Sequence, residues 1–242
     1  MTAADIFARY AYPPNELGYC GPANSGEVLS CGLAGLEATA RCFEGTWPYF
    51  EFIATRHGLD PLDGRVVESY WLGGALTEGL DVKVEGADLL EELARAGGTW
   101  AHSTEDLLPG MTPDHNFHVF AIYPWLGLLS RNLSDQPRLV LDRCRIRWGE
   151  LIAIDGDTAT VASAAIEWDG ERLSLGPSRN EAVVLAKGPI RLAGEVSPGD
   201  VVALHWNWIC GAISQEQLAH LRRSTATHLD IANQRLELGL VD

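Results

Sequence analysis

The sequence predicts an α+β protein in two parts: a mainly helical region over residues 1–136, then a small β-barrel closed by a C-terminal helix over 139–242. Three observations carry this. Apolar residues recur at three- and four-residue spacing through most of the first part. Short alternating runs separated by Asp-Gly and Pro-Gly turns fill the second. Between them lies a polar stretch, Ser130 to Arg138, containing Asp135-Gln136-Pro137.

The helical candidates are the segments 28–43, 47–57, 61–75 and 86–96. In the third, Val66, Val67, Tyr70 and Trp71 share one stripe of a 3.6-residue period; Leu89, Leu90, Leu93 and Ala94 do so in the fourth. The segment 114–129 is largely apolar after His118, and Pro124 ends or kinks any helix there. Trp47, Trp71, Trp100 and Trp125, with Tyr49, Tyr70 and Tyr123, are expected as core aromatics.

In the second part the run from Cys144 to Ile154 opens with strict alternation. Cys144, Ile146 and Trp148 are expected on the core face, and Arg143, Arg145 and Arg147 toward solvent. Asp155-Gly156-Asp157 turns the chain into a strand at Thr158–Ile166, and Asp169-Gly170 into another at Arg172–Leu175. Further strands fit Ala182–Ala186 and Val201–Trp208, the latter entered through Ser197-Pro198-Gly199-Asp200. So many short strands would leave unprotected edges in a flat sheet, which favours an OB-like barrel. Ser214-Gln215-Glu216-Gln217 is a capping box. The helix it starts carries Leu218, Leu221, Thr225, Leu229, Ala232 and Leu236 on one stripe, which must dock on the barrel or on a partner.

Composition narrows the function. Hydrophobic residues make up 46% and charged residues 21%, as in soluble globular proteins. The net charge is −15, of which −11 falls in residues 1–138 and −4 in 139–242, so nucleic acid and anionic membranes are poor partners. Five cysteines without a CxxC pair or a secretory signal predict free thiols in a reducing cytoplasm. No basic leader or long apolar run points to a membrane.

No phosphate-cradling glycine loop, HExxH or GxSxG motif is present. His115 and His118, three apart beside Asp114, would share one face of a helix and could seat a divalent metal or an iron fragment; the plainer alternative is a capped helix start. Cys20, beside Gly21-Pro22, is a candidate reactive or ligating thiol or an ordinary turn cysteine. Cys31 and Cys42 are expected as small core residues. Cys144 and His205 offer a soft thiolate and a borderline imidazole from separate strands, a set suited to iron or zinc; their alternative is a buried hydrophobe and a core histidine.

Cys144, then Gly149-Glu150-Leu-Ile-Ala-Ile-Asp155-Gly156-Asp157-Thr-Ala-Thr-Val161, Pro198-Gly199-Asp200-Val-Val-Ala-Leu-His205, and the Ser214 helix stand in the order and spacing of a known family. From Cys144 to about Leu236 the chain resembles HypC, the small chaperone of nickel–iron hydrogenase maturation. The whole chain resembles a bacterial family in which a helical domain precedes such a barrel. The resemblance implies an OB-like barrel with a C-terminal helix and a non-enzymatic carrier. With a HypD-like factor, it would deliver iron as an Fe(CN)2CO fragment to a hydrogenase large-subunit precursor. It also implies that Cys144 anchors the iron and His205 ligates or orients it. Two departures stand out: the HypC cysteine is the second residue, near a free amino end, whereas Cys144 is internal, and Trp148 replaces a usual proline. Two other readings remain: a metal- or thiol-dependent enzyme built on Cys20, His115 and His118, and a metal-free interaction module.

Overall fold

The computed structural model describes residues 2–43, 45–81, 84–96, 110–131 and 134–241. The chain opens with α1 (Ala3–Glu16), whose first turn is closed by a capping box between Thr2 and Asp5. The expected helix over 28–43 is split into α2 (Gly26–Ser30) and α3 (Gly32–Arg41). Gly32 takes a left-handed φ of 54° at the break, a conformation open to glycine at little cost. Then come α4 (Trp47–His57), α5 (Gly64–Leu72), capped by Asp63, and α6 (Glu85–Ala96). Trp100 lies outside the described residues.

The segment 114–129 forms three pieces. A short α7 (His115–Phe117) runs into a π-helical turn, His118–Ile122, and after Pro124 the chain resumes as α8 (Trp125–Ser130). The polar stretch expected to separate two domains instead begins α9 (Gln136–Cys144). Pro137 sits in its first turn, where a missing N–H costs nothing. Cys144 therefore closes a helix; it does not open a strand.

The five strands are β1 (Arg147–Asp155), β2 (Thr158–Trp168), β3 (Leu173–Val184), β4 (Val201–His205) and β5 (Trp208–Ala212). Two expected strands, 172–175 and 182–186, merge into β3; the register shift opposite Ala164 and Ile166 absorbs Gly176 and Pro177, where a proline lacks a ladder donor. The expected strand 201–208 divides at Trp206-Asn207 into β4 and β5. Pairing runs β1-β2-β3-β5-β4 and returns from β4 to β1, so the sheet closes on itself. The junction of β3 and β5 is a parallel pair, Val184 with Trp208. Leu151, Val161, Val183, Val202, Leu204 and Ile209 fill its interior.

The arginine face is corrected by the structure. Arg145 and Arg147 are buried at 1% and 0% exposure. Arg145 donates to Asp142 at 3.1 Å and to the Ala164 carbonyl at 2.8 Å. Arg147 donates to Glu181 and to the Trp206 carbonyl, and Arg143 reaches the same Glu181 at 2.6 Å. Alternation cannot distinguish a solvated arginine from one whose charge is matched inside. Cys31 is half-buried and packs at the edge of the helical core, whereas Cys42 is exposed and is not a core residue.

Packing crosses the expected seam. One apolar cluster joins Phe7, Phe50, Tyr70 and Trp71 to Ile146, Ala203 and Trp208; another joins Val119, Phe120 and Leu126 to Ile166, Trp206 and Leu229. The last helix, α10 (Gln215–Leu238), starts at the expected capping box on Ser214 and Gln217. It buries Leu218, Leu221, Thr225, Leu229 and Ala232, with Leu236 packed at the edge. Its stripe docks on the π-helical turn and on β3, where Leu229 and Ala232 share one apolar cluster with Val119, Phe120 and Leu173. Asn233 pins it to β3 by accepting from the Leu173 N–H at 2.7 Å and donating to the Leu173 carbonyl at 2.9 Å. Asn233→Ala would strand both buried backbone groups, and a loss of about 2 kcal/mol in urea unfolding is expected. A change under about 0.5 kcal/mol, within the range of ordinary surface substitutions, would show that the bond pair does not hold the helix.

Candidate metal centre

His115, Cys144 and His205 meet where α7, the end of α9 and the end of β4 converge. One potential ligand atom from each lies within 4.8 Å of the other two, and all three residues are buried. The Cys144 Sγ stands 4.0 Å from His115 Nε2. The two imidazoles face each other edge to face, with centroids 5.1 Å apart, and Trp71 borders both rings. Ligand atoms around a tetrahedral ion with bonds of about 2.0–2.3 Å stand roughly 3.3–3.6 Å apart. The cluster therefore needs to contract by about 1 Å to hold one ion.

Local structure sets each donor. Asp114 accepts from the Phe117 N–H at 2.8 Å, which starts α7 and points His115 inward. Cys144 is held by the last turn of α9, whose Arg143 carbonyl accepts the Trp206 N–H at 2.7 Å. That bond ties α9 to the β4–β5 turn directly after His205. Trp206 is the one non-glycine residue with positive φ, 53°, among the described residues. Such strain concentrates at functional sites. Its ring stacks on Tyr19 at 4.3 Å, beside Cys20.

His205 is the best-prepared ligand. It has 0% exposure, and its Nδ1 lies 2.6 Å from the Tyr10 carbonyl. A carbonyl only accepts, so Nδ1 carries the proton and Nε2 presents a bare lone pair. Among the described residues that Nε2 makes no hydrogen bond of ordinary geometry, although the Cys144 backbone stands close enough to His205 to favour its protonated form. A buried nitrogen without such a bond, on a ring fixed by a carbonyl behind it, is how proteins orient a metal-binding histidine. His115 is more committed: its Nε2 lies 2.8 Å from the Cys144 carbonyl and its Nδ1 3.2 Å from the Tyr70 hydroxyl. Ligation through Nε2 requires the proton to move to Nδ1, where the Tyr70 oxygen can accept it.

Burial keeps the centre neutral. It pushes His115 down to about 4, partly opposed by the Cys144 carbonyl, and drives His205 well below its ordinary value, helped by the neighbouring His115. Burial also raises the Cys144 thiol well above its usual range, with Cys20 adding to the shift and the Trp206 indole opposing it.

The remaining expected candidates line one small cavity beside the triad. Cys20, His115, His118, Tyr70, Tyr123 and Cys144 surround a space of about 20 Å³, room for one water or one ion. The His118 Nδ1 lies 3.1 Å from the Tyr49 hydroxyl. Gly45 permits the approach of His118, since an added Cβ would sit 2.8 Å from the ring Cε1. Burial, then the neighbouring His115, lowers His118 to about 3. The structure thus brings His115 to Cys144 and His205 and leaves Cys20 and His118 on the cavity wall. Sequence spacing separated His115 from the other two because they belong to different parts of the chain. Tyr10 and Trp206 carry no motif that marks them for the site, and Tyr70 is expected only as a core aromatic.

The arrangement defines a class: a closed five-stranded sheet sharing a buried His-Cys-His constellation with a helical region. The chain belongs to the family of unknown function DUF6390, whose model matches residues 1–239. No curated protein and no solved structure matches it. Among the described residues, no helix is long and apolar enough to cross a membrane.

Proposed function

We propose that this protein is a HypC-like carrier, holding iron through Cys144, His205 and His115 on its way to a hydrogenase large-subunit precursor. The observation that carries the reading is the meeting of a thiol and two imidazoles within 4.8 Å, two of them in the positions that the HypC resemblance marks. The strand order β1-β2-β3-β5-β4 and its parallel β3–β5 junction support an OB-like barrel. His115 supplies from the helical part a third donor near an internal cysteine that has no free amino end beside it. A thiolate with imidazoles suits iron in a soft, low-spin state, such as one bearing cyanide and carbon monoxide. Because the site is buried, delivery requires the partner, a HypD-like factor or the client, to open it.

The test is the full chain produced anaerobically with hydrogenase maturation factors. Stoichiometric iron with infrared bands of cyanide and carbon monoxide is expected, both lost in Cys144→Ala. Protein carrying zinc alone, or bands unchanged in that variant, would overturn the assignment.

A further inference from the structure

The Tyr10 carbonyl that fixes His205 lies inside α1, where carbonyls are normally consumed by the N–H four residues later. The residue four later is Pro14, which has no N–H. Its ring also crowds the carbonyl of residue i−4, tilting that oxygen off the helix axis. At Tyr10 the released oxygen accepts a hydrogen bond from the His205 Nδ1–H, with Nδ1 2.6 Å away. Pro13 similarly releases the Arg9 carbonyl, one residue from this contact.

We propose that Pro14 is a positioning residue for the metal centre: by leaving the Tyr10 carbonyl free within a helix, it locks His205 in the tautomer that offers Nε2 to a metal. A proline pair costs helix stability wherever it stands, and here one member leaves a buried acceptor that an imidazole from a strand 195 residues away satisfies. Any residue other than proline at position 14 brings an N–H aimed at the same oxygen. His205 then shares its anchor, and the alternative Nε2-protonated form, useless to a metal at that atom, gains population. The metal consequence rests on the proposed site; the tautomer consequence does not.

The test uses full-length Pro14→Ala and Pro14→Val, the second retaining most of the buried bulk, with Pro13→Ala as the neighbouring control. In metal-free protein, imidazole nitrogen NMR is expected to show His205 as a single Nδ1-protonated tautomer in the wild type and in Pro13→Ala, and as a mixture in both Pro14 variants. Cobalt(II) titration is expected to weaken about tenfold or more in the Pro14 variants, the scale of an outer-shell defect, and less than threefold in the control. An unchanged His205 tautomer in both Pro14 variants would overturn the proposal. Wild-type protein that binds no cobalt(II) would overturn the metal reading instead, and leave the tautomer shift to be judged by itself.

Discussion

Cys144→Ala is expected to weaken metal binding by at least about 100-fold, or about 2.7 kcal/mol, while leaving the fold intact. The side chain is the sole sulfur in the triad, and alanine removes it from a buried position without adding bulk. The pH dependence of wild-type binding makes the same case more sharply. Burial keeps the Cys144 thiol protonated at neutral pH, so a metal that takes the thiolate must expel one proton. His115 and His205 are already neutral, because burial holds both far below their ordinary values, and they release none. Apparent affinity should therefore rise about tenfold per pH unit between pH 6 and 8, one proton's worth. Competition titrations against a chromophoric chelator measure this directly. A pH-independent affinity, or one that survives Cys144→Ala, would remove sulfur from the site.

The second large effect is acid sensitivity of the metal-free protein. His115, His118 and His205 are neutral and buried, with His115 near 4, His118 near 3 and His205 well below its ordinary 6.5. An unfolded chain protonates them near pH 6.5. Between that value and about pH 4 the unfolded state binds more protons than the folded one, so stability is full above pH 6.5 and falls as pH drops. Each histidine contributes up to about 1.4 kcal/mol per pH unit, and the three together several kcal/mol by pH 5, a large part of a typical domain's 5–15 kcal/mol. Carboxylates add little down to pH 5, because an unfolded carboxyl takes up its proton only at about pH 4 to 4.5; below that, groups such as Glu181, which against the cost of burial Arg147 and Ser163 hold down to about 2, deepen the loss. Urea unfolding at pH 7, 6 and 5 after chelation should show a steep decline in midpoint. A flat profile would mean that the three rings reach water or proton acceptors in solution.

Particular residues show what was legible in advance. The capping box at Ser214 and the stripe through Leu218 and Leu229 were readable because both depend on neighbours within one or two helical turns. The hairpin at Asp155-Gly156-Asp157 was readable for the same reason: a left-handed glycine determines the turn wherever it sits. Alternation misplaces Arg145 and Arg147 because their burial depends on Asp142 and Glu181, and the latter arrives from another strand. Alternation points Cys144 to a strand because Cys-Arg-Ile-Arg-Trp alternates whether or not its first residues belong to the end of a helix. His115 was set apart from Cys144 and His205 because periodicity says nothing about contacts 29 and 90 residues away.

By itself the sequence determined the helices within 47–57, 61–75 and 86–96, the capped start of the last helix and most of the strands and hairpin turns of the second part, but not α1 or α9; what it determined follows from short-range sterics and hydrophobic spacing. Only the tertiary structure decided that one histidine from the helical part joins the cysteine and histidine of the barrel part, and that a helix carbonyl is free to orient one ring. The reason is physical: a metal site is a coincidence of distances among residues remote in sequence, and those distances are set by how the shared cores pack.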